Sequence, residues 1–261
     1  MKILATDLDR TLLPNGHQAA EPGAIERFNT VTREHEVTVV YVTGRNLALT
    51  EAAIREFGVR VPDVLCGDVG TTIRRWDGRS WSSDAGWETH VRGSSPRWDA
   101  AGVRKALAEL PGLLEQGSEH QNPFKQSYFI EPAQRDSVWG EVTRRVHGQF
   151  DEVLVESHDP KAHHGLLDVL PSGATKRTAL EFVAQALQAD KSEVVFCGDS
   201  GNDILPMTAG FRGVVVGNAD EQLTAEVRRQ LQRDPSLKVY FARGNYTSGV
   251  LEGAAHWGLL S

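Results

Sequence analysis

Cationic charge, cysteine and long apolar runs are all scarce in this chain, and each scarcity closes off a class of function. Lysine and arginine number 28 against 35 aspartates and glutamates, for a net charge of −7. Such a surface exerts no long-range attraction on nucleic acid or on an anionic membrane. An anionic small molecule would need a local cationic pocket or a metal ion. Only two cysteines occur, Cys66 and Cys197, each inside an apolar run. They exclude a disulfide framework and point to a reducing cytoplasm. No apolar stretch approaches the roughly 20 residues that span a bilayer. The chain opens directly on a strand-like run, Ile3-Leu4-Ala5, so no signal peptide is expected. No internal repeat and no low-complexity tract interrupts it.

What is present is ordinary globular composition, 40% hydrophobic and 24% charged, over 261 residues. That length suits one large domain or two small ones. The first third alternates strand and helix patterns. Lys2 to Thr6 and the β-branched run Val37 to Val42 read as buried strands. Helices are expected from Glu21-Pro22 onward, with Ile25, Phe28 and Val31 on one face, and from Asn46 to Phe57, stopped by Gly58. Val64 to Cys66 and Thr71 to Ile73 read as short strands, and Asp77-Gly78 as a hairpin turn. The last third repeats the alternation: a helix from Thr175 to Gln188, a strand from Val194 to Cys197, a short helix from Ile204 to Ala209, a strand from Val214 to Val216 and a helix from about Asp220. Leu231 to Leu237 reads as a surface loop. Strands and helices at this spacing predict a parallel sheet covered on both faces.

The middle differs. Four of the six tryptophans, Trp81, Trp87, Trp98 and Trp139, lie between 81 and 164. Lys125 to Ile130 and Glu152 to Glu156 read as strands, Val103 to Leu110 and Ser137 to His147 as helices. The expected organisation is an α/β doubly wound, Rossmann-like core at 1–80 and 165–261 with an α+β domain inserted at 81–164. The inserted histidines His158, His163 and His164 read as hinge or surface residues, since no cysteine or carboxylate with zinc-site spacing joins them.

Four short motifs sit where strands end or helices open. Asp7-Leu8-Asp9-Arg10-Thr11 follows the first strand, and ligands of open parallel sheets bind at the strands' carboxyl ends. One carboxylate there can attack phosphorus and the other can trade protons; a simple turn fits equally well. Val42-Thr43-Gly44-Arg45 offers a hydroxyl and amides at a helix start, either a phosphate corner or an N-cap made by Thr43. Lys176 opens a helix against its dipole, which suits a locally negative site or a solvated surface lysine. Gly198-Asp199-Ser200-Gly201-Asn202-Asp203 offers hard oxygen ligands or a plain polar turn. Its acidic spacing excludes an EF-hand.

Taken together, in this order, the four motifs resemble the haloacid-dehalogenase-like superfamily of aspartyl phosphatases. The insertion resembles its larger mixed α+β cap. Within the superfamily the chain is most similar to the sucrose-6-phosphate phosphatases, through Gln121-Asn122-Pro123-Phe124-Lys125-Gln126-Ser127-Tyr128, Leu167-Asp168-Val169-Leu170-Pro171, the Gly198 to Asp203 string and the ending Gly249 to Leu260. It departs from that family at Phe124, where tryptophan is usual, and at Arg10, where asparagine is frequent. The resemblance implies Asp7 as nucleophile and Asp9 as general acid/base. It implies Mg²⁺ held by the Asp7 carboxylate, the Asp9 carbonyl and Asp199, with Asp203 in support. Thr43 and Lys176 are expected at the phosphoryl oxygens, and Gly44, Arg45, Asn122, Lys125 and Asn202 toward the rest of the substrate. Asn122 reads equally well as a turn residue before Pro123. The implied substrate is a small sugar phosphate, sucrose 6-phosphate first, then mannosylfructose phosphate or a glycosylated phosphoglycerate, with no nucleic-acid or membrane partner. Association with a glycosyltransferase belongs to the same expectation. A phosphomutase or a sugar-phosphate sensor would share most of these residues.

Overall fold

The computed structural model describes residues 1–159 and 164–260. The chain divides into two compact units, residues 1–84 with 176–261 and residues 85–175. The first unit begins with β1 (Ile3–Thr6), α1 (Ala24–Glu34), β2 (Thr38–Val42), α2 (Leu47–Phe57), β3 (Val64–Gly67), β4 (Thr72–Trp76) and β5 (Trp81–Ser83). The second unit holds α3 (Ala85–Ser94), α4 (Ala100–Leu107), β6 (Leu113–Glu115), β7 (Gln126–Ile130), α5 (Arg135–Val146), β8 (Glu152–Asp159) and β9 (His164–Pro171). The chain then returns to the first unit with α6 (Lys176–Ala186), β10 (Val194–Gly198), α7 (Ile204–Met207), β11 (Arg212–Val215), α8 (Glu221–Arg233), β12 (Lys238–Phe241) and α9 (Tyr246–His256).

The first unit is built on one eight-stranded sheet in the order β12-β11-β10-β1-β2-β3-β4-β5. The six strands from β12 to β3 run parallel, and β4 and β5 add an antiparallel edge. Strands β1, β3 and β10 are buried at every position, which is why they read as unbroken apolar runs. Leu4, Val39, Tyr41, Leu65, Val195 and Val214 join Phe28 of α1 and Val250 and Ala254 of α9 in one core. This is the Rossmann-like α/β core expected from the sequence. Among the described residues no helix is long and apolar enough to cross a membrane.

The second unit is a four-stranded antiparallel sheet, β6-β7-β9-β8, with its own core. Tyr128, Ile130, Leu167 and Val169 pack there with Val103, Leu107, Val138, Val142 and Val146. Strand β9 pairs with β7 and β8, so residues 164–171 belong to this sheet and not to the returning core. The boundary expected at 164 therefore moves to the start of α6.

Other boundaries shift for local reasons. Helix α1 starts at Ala24 after Gly23, whose φ of 73° breaks the chain ahead of it. Asn46, not Thr43, caps α2, its side chain accepting from Leu49 N at 2.9 Å. Helix α8 runs to Arg233, into the stretch read as a loop. His163 lies outside the described residues; the backbones of His158 and His164 face each other's neighbours across the β8–β9 ladder.

Candidate active site

The register of the parallel sheet brings three of the motifs to one edge. Thr6 pairs with Cys197 on one side and Tyr41 on the other. Asp7, Val42 and Gly198 therefore come next side by side at the strand ends, and Thr43 and Asp199 follow them out of the sheet. Asp7 N still donates to Cys197 O at 3.0 Å and Thr43 N to Cys66 O at 2.9 Å. This is the carboxyl edge of the sheet, where the crossover loops of a doubly wound fold gather.

The fourth motif is drawn in by charge. Lys176, first residue of α6, is 2% exposed. Its Nζ lies 3.0 Å from Asp7 Oδ2 and 2.9 Å from Asp203 Oδ1, and donates to Asn202 Oδ1 at 2.9 Å. A buried ammonium tends to lose its proton, but here Asp203 and Asp7 outweigh burial and hold Lys176 charged. The surface-lysine reading is excluded. Asp7 responds in the opposite sense. Its carboxyl is pushed up to about 7, chiefly by burial and also by Asp203 and Asp9, against the pull of Lys176. Burial, then Asp203 and Asp7, push Asp199 well above the ordinary carboxylate range, against Arg10 and a hydrogen bond from Thr11.

Asp203 uses both oxygens within the protein. Oδ1 meets Lys176, and Oδ2 accepts from Asp199 N at 3.1 Å and Ser200 N at 3.3 Å. This folds the loop tightly enough to require Gly198, where a Cβ would lie 2.6 Å from Asp203 Cβ. Asp9 sits in different surroundings, its side chain 43% exposed. Arg45 grips it at two points, Nε to Oδ2 at 2.8 Å and Nη2 to Oδ1 at 2.6 Å, and Asn15 Nδ2 donates to Oδ1 at 2.6 Å. Burial opposes ionisation, but Arg45 and Asn15 together hold the Asp9 carboxyl below its ordinary value. The two carboxylates of the first motif thus differ in environment: one deep and raised, one at the rim and lowered.

Thr43 is fully buried, its hydroxyl accepting from Arg45 N at 3.2 Å. Its carbonyl accepts from Val69 N, and the Arg45 carbonyl from Asp68 N. Asp68 and Val69 hold φ values of 53° and 62°, left-handed conformations that are costly for a β-branched residue such as Val69. This strained corner braces the Thr43-Gly44-Arg45 loop from behind. Gly44 is exposed on that loop.

The acidic set fits a hard divalent cation. Asp7, Asp199 and Asp203 can each offer an oxygen within 4.8 Å of the others. Asp199 Oδ1 accepts from Thr11 Oγ1 at 2.9 Å, whereas its Oδ2 is buried and accepts no hydrogen bond. A buried carboxylate oxygen that accepts no aligned hydrogen bond, grouped with the oxygens of two further aspartates, is suited to Mg²⁺. Asp203, with both oxygens engaged, fits a supporting place better than a direct ligand.

Asn122 and Lys125 lie in the second unit. Asn122 Oδ1 accepts from Phe124 N at 2.8 Å, and Asn122 N and O both bond Lys125, so Asn122 builds the turn before β7. Lys125 is 4% exposed. Sequence reasoning missed Asn15 and Asn218, which brace the first loop, and the contact of Arg10 with Asp199. Asparagine in a polar loop carries no pattern that would have singled these out.

Comparisons with known proteins agree with this geometry. The family model of Sucrose-6F-phosphate phosphohydrolase matches residues 1–258. A protein of Nitrosococcus oceani, named only for its likeness to the haloacid-dehalogenase hydrolases, is 37% identical over 98% of this chain and 71% of its own length. Sucrose-phosphatase 1 of Nicotiana tabacum is 29% identical over 98% of this chain but 59% of its own length, so the chain spans about three fifths of that relative. The mannosylfructose-phosphate phosphatase of Agrobacterium fabrum is 26% identical over 99% of this chain and 98% of its own. The sucrose-phosphatase of Synechocystis sp. PCC6803, solved with sucrose and phosphate, superposes with a TM-score of 0.80 at 24% identity, covering 100% of this chain and 99% of that one. That likeness establishes the haloacid-dehalogenase fold. The chain belongs to the Sucrose-6F-phosphate phosphohydrolase family of sugar-phosphate phosphatases.

Proposed function

We propose that this protein is a Mg²⁺-dependent phosphatase that transfers the phosphoryl group of a sugar phosphate to Asp7 and then hydrolyses the aspartyl phosphate. The observation that carries this reading is the buried set of Asp7, Asp199 and Asp203 around the Lys176 ammonium at the carboxyl edge of the sheet. Phosphoryl transfer is mainly a matter of positioning and charge neutralisation, and this arrangement supplies both. Asp7 is the nucleophile. Thr43 and Lys176 bind the transferring oxygens, with Asn202 orienting the Lys176 ammonium. Mg²⁺ is assigned to the Asp7 carboxylate, the Asp9 carbonyl and Asp199, with Asp203 in support. When bound, the cation lowers the charge repulsion between the carboxylates and the phosphate and keeps Asp7 ionised.

Asp9 is the acid/base. The Arg45 fork holds it ionised, the form that takes a proton from water in the second step. Protonating the leaving sugar oxygen requires that fork to open, so Arg45 answers to substrate as well as to Asp9. The unit 85–175 is assigned to substrate selection, with Asn122 shaping the turn that carries Lys125; Lys125 is assigned as a substrate contact there, and Gly44 and Arg45 as substrate contacts of the core. Sucrose 6-phosphate is the first candidate substrate, supported by the family match; mannosylfructose phosphate is the second, supported by the Agrobacterium relative. A cytoplasmic location and association with a glycosyltransferase complete the proposal.

A phosphate-release screen over disaccharide and monosaccharide phosphates with Mg²⁺ tests it. Fastest turnover is expected on sucrose 6-phosphate, and Asp7→Asn should release none from any substrate. Preference for a small phosphate such as phosphoglycolate refutes the disaccharide assignment; turnover by Asp7→Asn refutes the mechanism.

A further inference from the structure

Arg10 occupies a place in the site that the phosphatase reading leaves unused. Its φ of 58° lies in the left-handed region, which is unfavourable for a residue with a side chain. Neighbouring asparagines fix that backbone. Arg10 N donates to Asn15 Oδ1 at 2.7 Å, Asn218 Nδ2 donates to Arg10 O at 2.6 Å, and Asn218 in turn accepts from Tyr246 N at 2.7 Å. The loop so held sends the guanidinium to Asp199, with Nη2 3.1 Å from Oδ2. Asp199 is nearly buried, its side chain 2% exposed, while that of Arg10 is 26% exposed. Oδ2 accepts no aligned hydrogen bond, so the contact is one of charge without a directed N–H. A cation that is partly solvated, close to a buried carboxylate oxygen and not locked to it can be exchanged for another cation.

Building on the metal assignment above, we propose that Arg10 is a competing counter-ion of Asp199 and sets how tightly the site holds its divalent cation. Counted as ionised, the form that holds a cation, three carboxylates face the ammonium of Lys176 and the guanidinium of Arg10, which leaves them short of one positive charge. A divalent cation added beside both would overshoot by one. With Arg10 turned out to solvent, the divalent cation and Lys176 balance the three carboxylates. Metal binding therefore includes the work of displacing Arg10 from Oδ2 or of bearing its repulsion. Lys176 cannot serve this way, because it is 2% exposed and shared among Asp7, Asn202 and Asp203.

The test is Mg²⁺ binding itself, measured by isothermal titration calorimetry and by the rise in melting temperature on adding MgCl₂ after EDTA treatment. Wild type is compared with Arg10→Lys, Arg10→Met and Asp199→Asn. Lysine and methionine are both unbranched at Cβ and share the strain of the left-handed backbone, so they differ mainly in charge. Removing one cationic charge a few ångströms from a divalent ion in partly solvated surroundings predicts about tenfold tighter Mg²⁺ binding for Arg10→Met. Arg10→Lys should stay near wild type. Arg10→Met should also melt lower in EDTA and gain more from Mg²⁺. Unchanged or weaker binding by Arg10→Met, or Arg10→Lys behaving as Arg10→Met, overturns the counter-ion proposal and leaves the metal site standing. Wild-type affinity in Asp199→Asn overturns the metal assignment instead.

Discussion

Replacing Lys176 with methionine removes one ammonium and leaves the packing volume nearly intact. Its Nζ is the common partner of Asp7, Asp203 and Asn202, all within 3.0 Å, and its side chain is 1% exposed. Breaking a buried ion pair by removing one partner costs roughly 3–5 kcal/mol, because the charge left behind is neither solvated nor compensated. The opposing gain, from removing a cation at a helix N-terminus, is worth about 0.3–1 kcal/mol and does not change the sign. The orphaned carboxylates can limit the loss by taking up protons. If folding now binds one further proton, the gap between variant and wild type widens by about 1.4 kcal/mol for each pH unit. Differential scanning calorimetry in EDTA at pH 6 and pH 8 reads both effects. The transition of the first unit should fall by roughly 10 °C at neutral pH, taking roughly 2–4 °C per kcal/mol for a protein of this size. The deficit should be larger at pH 8 than at pH 6, and Mg²⁺ should restore part of it. A variant as stable as wild type at pH 8, or a deficit independent of pH, would refute the view that Lys176 neutralises this cluster.

Three further outcomes are expected. Asp9→Asn should lower turnover of sugar phosphates by about 10²–10⁴-fold and affect phosphorylation by p-nitrophenyl phosphate far less, because only the sugar alkoxide needs a proton to leave; equal losses on both substrates would argue against an acid at position 9. Arg45→Met frees Asp9 from the interaction that holds it low, so the falling alkaline limb of kcat/KM for a sugar phosphate should move to higher pH; an unmoved limb would separate Arg45 from the proton on Asp9. In EDTA the wild-type protein should lose stability as pH rises from about 4 toward 8. Asp7 is raised from 3.8 to about 7 on folding, so its favourable contribution is complete below 3.8 and lost on passing 7. Saturating Mg²⁺ should flatten that slope, and a slope unchanged by Mg²⁺ would place the cation elsewhere.

Much of the fold was written in local pattern. The runs Ile3–Thr6, Thr38–Val42 and Val194–Gly198 are buried on both faces, and only a parallel sheet between helices makes such runs continuous. Lys238–Phe241 was not recognisable, because β12 is an edge strand that keeps Lys238 in solvent and mixes polar with apolar residues. The expected boundary at 164 fell short of β9, since an apolar run does not name the sheet it pairs in. Helix α3 was missed as well; only Trp87 and Val91 of it are buried, too few to set up a visible period.

The site divides along the same line. Asp7, Asp9, Thr43, Lys176, Asp199 and Asp203 were legible because each follows a strand or opens a helix, and the parallel sheet gathers those positions at one edge. What each side chain touches was not legible. The Arg45 grip on Asp9 and the approach of Arg10 to Asp199 depend on loop conformations set by Asn15, Asn218 and the left-handed corner at Asp68 and Val69. Those conformations arise from contacts far apart in sequence, such as Asn218 with Arg10, and leave no periodic trace.

The most direct measurement is to look for the phosphoryl group on Asp7. Asp9→Asn enzyme mixed with Mg²⁺ and p-nitrophenyl phosphate, quenched in acid and digested, should accumulate one phosphoryl group on the N-terminal peptide, localised to Asp7 by fragmentation. The same treatment of enzyme also carrying Asp7→Asn should give none. A phosphoryl group on another residue, or burst release of p-nitrophenol with no phosphorylated peptide, would contradict the account.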